Sequence, residues 1–304
     1  MPSIGGMVDH PTDKEMPKFF ENTMELSQRQ FDTFHRPIMT FFVSVIAIEI
    51  YSLLDVSMLT VMSNATSVGY YSNSTKIVKA VANTLTGISA VLMPRFSYLF
   101  SEDNKSEIKK LSRQFLNVTF LISVPCCCGI ILVADQIVEV LFGVEFLPAI
   151  STIRILSILI VLMPLSGGVF CQLLLTAGKE KSYLACVLIG TVVNAVLNYL
   201  LIPTFTQNGA AIASVVAEFT VSISMIVATR RTIKVNMCCR DVFSILTSAF
   251  VMSLTLVLCH KLFFGQAVWM RLLVEIVIAV LVYFLCVFML KNSASSKIIR
   301  MIKK

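Results

Sequence analysis

The chain has 304 residues, of which 56% are hydrophobic and 14% charged, with a formal net charge of +7. Soluble domains carry about 25% charged residues, so this composition excludes an ordinary soluble protein and points to a bilayer. The basic excess sits in short loops between apolar runs, which assigns it to a membrane surface and excludes a nucleic-acid partner.

Residues 1–37 hold Asp9, Asp13, Glu15, Glu21 and Glu25, with prolines such as Pro11 and Pro17 and no apolar segment. They read as a cytoplasmic arm or interlobe linker and not as a signal peptide. Beyond them, apolar runs of about 20 residues follow one another, the length one helix needs to cross a hydrocarbon core of about 30 Å. Their limits predict spans over 38–62, 75–93, 114–134, 149–176, 183–203, 208–229, 241–262 and 271–290. The fold class is therefore all-α, a polytopic membrane bundle of about eight transmembrane helices. The loop from Arg95 to Arg113 ends in a basic stretch from Lys105 with the character of an amphipathic helix on the inner leaflet. The fourth span is long, and it is expected to tilt or to break near Pro164, Gly167 and Gly168. The fifth and sixth form a tight hairpin. Pro203 ends one helix, and Gly209, Ala210, Ala211, Ala213 and Ser214 open the next with small side chains that let two backbones approach.

Basic residues set the orientation. Alternate loops hold Arg95, Lys105, Lys109, Lys110 and Arg113, then Lys179 and Lys181, then Arg230, Arg231, Lys234 and Arg240, and the tail adds Lys291, Lys297, Arg300, Lys303 and Lys304. The opposite loops hold Lys261 and Arg271. The positive-inside rule places the first set, and with it both chain ends, in the cytoplasm of a multi-pass cell-membrane protein. Tyr70, Tyr71 and Trp269 then fall at external span ends, where aromatic belts form. The nine cysteines show no metal-ligand spacing and read as small apolar packing residues. No metal or cofactor is expected.

The stretch Val193-Asn194-Ala195-Val196-Leu197-Asn198-Tyr199-Leu200-Leu201-Ile202-Pro203, followed by Asn208-Gly209-Ala210-Ala211-Ile212-Ala213-Ser214 and Glu218, resembles the bacterial polysaccharide flippases. These are the lipid-linked oligosaccharide exporters of the multidrug/oligosaccharidyl-lipid/polysaccharide (MOP) superfamily. Leu54-Asp55-Val56-Ser57-Met58-Leu59, Val91-Leu92-Met93-Pro94-Arg95-Phe96 and Ala177-Gly178-Lys179 fit the same pattern. The resemblance covers residues 38–235 and, more weakly, the last two spans. It implies the C-terminal lobe of a two-lobed transporter: a linker over 1–37, a six-helix lobe over 38–229, and two further helices with a basic tail over 230–304. It also implies a cavity between lobes, a polyprenyl-linked oligosaccharide as substrate, and no bond made, so no enzyme. Membrane lipids and a separate N-terminal lobe or second copy would be the partners.

Ionisable residues inside spans are costly and mark function by default. Glu49, Asp55, Lys76, Lys79, Arg154, Glu218 and Glu275 are such residues. At about 1.5 Å per residue, Asp55, Lys79 and Arg154 lie roughly 10 Å from the external ends of their helices, and Lys76 about 6 Å. Lys76 and Lys79 share a helix face. Three cations at one level would bind the pyrophosphate of a lipid-linked sugar. The competing readings are snorkelling for Lys76 and Lys79, a helix-end contact for Arg154, and an ion pair with Lys76 or Lys79 for Asp55. Glu49 and Glu218 are candidates for cation or proton coupling, or for structural hydrogen bonds. Asn194 and Asn198, at i and i+4, would hydrogen-bond between helices or touch sugar. Gln172 is a further cavity candidate, and Glu275 reads as interfacial. Two other functions stay open: a drug/cation antiporter lobe, which would need fewer cavity cations, and a non-transporting scaffold or degenerate half-transporter. Short external loops disfavour a membrane glycosyltransferase.

Overall fold

The computed structural model describes residues 53–230, 238–262 and 267–290, with isolated positions at 39, 42, 43, 45, 46, 49, 50, 233 and 235. The arm over 1–37 and the basic tail from 291 lie outside the described residues, as does most of 38–52. Within them the chain is helical: α1 Leu53–Met62, α2 Ala65–Ala90, α3 Met93–Ser101, α4 Lys105–Phe142, α5 Ala149–Leu156, α6 Leu159–Met163, α7 Cys171–Thr176, α8 Glu180–Arg230, α9 Cys239–Leu262 and α10 Val268–Met289. Among the described residues, six helical segments are long and apolar enough to cross a membrane.

Local chemistry sets the boundaries. The Asn64 side chain accepts from the Ser67 N–H at 2.8 Å and starts α2 about ten residues before hydropathy marks a span. The polar stretch it adds is not a loop, because Ser67, Tyr71 and Ser74 turn inward. Asn104 caps α4 in the same way, so the basic stretch expected as a separate surface helix is the first turns of a 38-residue rod. Pro125 lies inside that rod and has no N–H for the Leu121 carbonyl. The Tyr283 hydroxyl takes its place at 2.8 Å and ties α10 to α4. The fourth span breaks where its prolines and glycines predicted, in a π-helical turn over Pro164–Phe170 between α6 and α7.

The 51 residues of α8 are two arms of a hairpin. Thr206 has φ 47° and ψ −124°, outside the helical region, and reverses the chain. Asn198 and Ser214 touch the same carboxylate, whereas a straight helix would hold them about 24 Å apart. Glycine permits the close return: a Cβ on Gly209 would stand 2.4 Å from the Leu201 carbonyl oxygen. Farther along, a Cβ on Gly190 would meet Val221 Cγ2 at 2.1 Å.

Packing is inward and tight at these small residues. One cluster joins Leu59, Val78, Ala82, Leu156, Ile160, Ile202, Ala210 and Ala211. A second, of Phe96, Phe115, Leu174, Tyr183 and Met225, closes the α3 and α7 end. A third packs Ile245, Met252, Leu256, Ala279 and Tyr283 against Leu121 and Val133, so the α9–α10 pair rides on α4. Large apolar side chains such as Val192, Tyr199, Phe250 and Leu281 face outward, the arrangement expected where lipid surrounds the bundle.

Candidate functional site

Asp55 on α1 is 3% exposed. Its Oδ1 accepts from Asn194 Nδ2 at 2.8 Å and from Asn198 Nδ2 at 2.7 Å. Its Oδ2 accepts from the Tyr71 hydroxyl and the Ser214 hydroxyl, each at 2.7 Å. The donors come from α2 and both arms of α8. The two asparagines reach one oxygen because a spacing of four residues puts them on one helix face, and Asn198 also donates to Asn194 Oδ1 at 3.1 Å. A buried carboxylate is tolerable only when it is solvated this fully by protein donors.

A cavity of about 140 Å³ opens beside this cage, lined among others by Asp55, Tyr71, Lys79, Ser166, Ser214 and Glu218. The π-helical turn presents Ser166, whose hydroxyl donates to Glu218 from the far arm of α8. Lys79, on α2, lines the same cavity as Glu218. Two carboxylates and one lysine thus line a small, largely apolar space inside the helices. Charge in so poor a dielectric interacts several times more strongly than in water, which suits ion or phosphate recognition.

The structure spreads the other candidates. Lys76 is exposed, although only three residues from Lys79. Arg154 is also exposed. Its Nε donates to the Ile131 carbonyl at 3.1 Å, and it lines a different cleft with Asp135, His260, Lys261 and Glu275. The three cations therefore do not converge, because α5 turns Arg154 toward α4 and α9. The cage around Asp55 is built of neutral donors where a lysine was expected, and Lys79 meets it across the cavity. Gln172, on α7, lies outside the cavity lining and is half-buried. Glu49 is helical and exposed.

Two site residues were placed differently from the sequence. Tyr71 is buried, 2% exposed, and not part of an external belt. Glu275 is 1% exposed, packed inside the bundle and not turned to its surface. It accepts from Gln136 Nε2 at 2.7 Å and lies 3.6 Å from Arg271 Nε and 3.7 Å from His260 Nδ1. Asp135 and Gln136 lie just past residue 134, where hydropathy ends the third span, so sequence alone reads them as loop. Among the described residues no group of three metal-ligating side chains comes together.

A family model described as lipid II flippase MurJ matches residues 19–284. A probable low-salt glycan biosynthesis flippase of Haloferax volcanii is 26% identical over 173 residues, 57% of this chain and 36% of that protein. The chain spans less than half the length of the curated relatives it matches, from 34% to 45%. A solved lipid II flippase MurJ in an inward closed conformation superposes with a TM-score of 0.69 at 15% identity, covering 98% of this chain and 58% of that one. An outward-facing multidrug resistance MATE family transporter of the MOP superfamily gives 0.54 at 14% identity, over 85% of this chain and 65% of that one. At these identities the structural likeness speaks for the fold.

Proposed function

The chain belongs to the lipid II flippase MurJ family, and from that premise we propose that it forms one lobe of a transporter that flips lipid-linked saccharide units across a membrane. The observation that carries the reading is the cavity holding Asp55, Lys79 and Glu218 among helices whose described residues include six segments long and apolar enough to cross a membrane. Intramembrane charges that face one another across a cavity are the signature of a solute path. Lys79 is the phosphate-binding cation, a point charge with three donors. Asp55 takes the coupling cation or proton. Asn198 Oδ1, buried and without a donor among the described residues, offers a second oxygen beside it. Glu218, held by Ser166 on the π-helical turn, links that carboxylate to the segment most able to bend. Residues 38–229 act as the lobe and 230–304 as an accessory pair with a basic tail, with both chain ends in the cytoplasm. A second lobe completes the cavity.

One observation favours a second reading. The cavity carries two carboxylates against one lysine, a balance that suits a cationic solute and a drug/cation antiporter. Binding separates the two. Native mass spectrometry of the purified chain should show retention of a polyprenyl-pyrophosphate saccharide, lost in Lys79→Ala. Retention of an organic cation such as ethidium, lost in Glu218→Gln and indifferent to Lys79→Ala, would establish the antiporter instead.

A further inference from the structure

The cleft between α4, α5 and the α9–α10 pair measures about 170 Å³ and shares no lining residue with the central cavity. Its charged residues lie near one end of the bundle. Lys261 is next to the last residue of α9, and Arg154 and Asp135 stand within about 10 Å of the ends of α5 and α4 at about 1.5 Å per residue. The ends of spanning helices are where phospholipid headgroups meet a bundle.

The cleft has unmet demands of both signs. Arg154 and Lys261 make no ion pair among the described residues. The bond from Arg154 Nε to the Ile131 carbonyl fixes the guanidinium and leaves its terminal nitrogens to the cleft. Asp135, a third exposed, has His260 Nε2 at 3.8 Å and Arg271 Nη2 at 3.9 Å. Both distances are too long for hydrogen bonds. Its Oδ1 is buried, so the third of the side chain that is exposed turns Oδ2 to the cleft with room for a closer donor. The cleft thus calls for an anion at Arg154 and Lys261 and for a hydrogen-bonding cation at Asp135.

We infer that this cleft binds a glycerophospholipid whose headgroup joins a phosphate to a primary ammonium, as in phosphatidylethanolamine. The phosphate lies against Arg154 and Lys261, and the ammonium gives its protons to Asp135. An apolar cavity of about 290 Å³, lined by Pro125, Met252 and Tyr283 among others, shares Val133 and Leu256 with the cleft and receives an acyl chain. An anionic lipid such as phosphatidylglycerol meets only half of this demand. A quaternary choline headgroup carries the positive charge but has no N–H to donate. The bound lipid seals the α9–α10 pair to the lobe. This inference is independent of which solute the central cavity carries.

The test uses the full chain in mild detergent, supplied with phosphatidylethanolamine, phosphatidylglycerol or phosphatidylcholine of matched chains. Retained lipid is counted by native mass spectrometry and thermal stabilisation is followed in parallel. Phosphatidylethanolamine should be retained roughly tenfold over the other two, about the size of one charge-assisted hydrogen bond. Lys261→Gln, at an exposed side chain, should weaken retention of all three, and Arg154→Gln more so. Asp135→Asn should abolish only the advantage of the ethanolamine lipid. Equal retention of the three lipids in the wild type, which needs no variant to fold, overturns the inference. So does a preference for phosphatidylglycerol, or an ethanolamine preference that survives Asp135→Asn.

Discussion

Replacing Asp55 by leucine would remove the acceptor on which four donors converge. Two of them have somewhere else to go. Ser214 already shares its hydroxyl with the Ala210 carbonyl at 2.9 Å, and Tyr71 lies 2.9 Å from Ser214. The amides of Asn194 and Asn198 lose their main acceptor, although Asn198 keeps its bond to Asn194 Oδ1. An orphaned buried polar group costs about 1–3 kcal/mol, so the loss should total about 2–5 kcal/mol. Asp55→Asn is the control. It gives up charge-assisted bonds worth about 1 kcal/mol each beyond neutral ones, but it also sheds the desolvation cost of a buried carboxylate. The hydroxyls can rotate to accept from its amide, so the net change should stay within about 2 kcal/mol. Thermal unfolding in detergent should therefore rank wild type and Asp55→Asn together, well above Asp55→Leu. Flipping should be impaired in both variants. An Asp55→Leu protein as stable as wild type would refute the cage as the organising contact between α1, α2 and α8.

Other outcomes follow from single contacts. Lys79→Ala should lose transport while inserting into membranes normally, and Lys79→Arg should keep part of it, as judged by flipping beside surface yield. Gly209→Ala forces a methyl to within 2.4 Å of the Leu201 carbonyl oxygen and should cost about 1–3 kcal/mol; an unchanged unfolding temperature would contradict the packing. Tyr283→Phe should cost about 1 kcal/mol by leaving the Leu121 carbonyl without its donor. Pro125→Ala restores an N–H there, so in a double-mutant cycle the tyrosine loss should shrink.

Much of this molecule is legible in its apolar runs, because a bilayer demands long helices whatever the detail of packing. Pro164 and Gly167 foretold the break in the fourth span, and the alanine-rich run after Gly209 foretold the tight hairpin. The asparagines at 194 and 198 were legible as a polar face, but not their common partner. Tyr71 hides as a donor because α2 begins at a polar cap that hydropathy reads as loop, and Ser214 because it stands in a run of small residues that reads as packing. The division of the cations was hidden for another reason. Depth along a helix is countable from sequence, but the direction in which Arg154 points depends on how α5 is rotated against α4. Glu275 is likewise buried by partners on α4 and α9 that sequence spacing does not bring together.

The most direct measurement is flipping of a fluorescent polyprenyl-linked saccharide in proteoliposomes containing this chain together with a co-expressed first lobe. The account predicts that label becomes accessible to a membrane-impermeant quencher with wild-type protein and stays protected with Lys79→Ala. Wild-type flipping by the Lys79→Ala protein, or no flipping by either beside ready efflux of an organic cation, would contradict it.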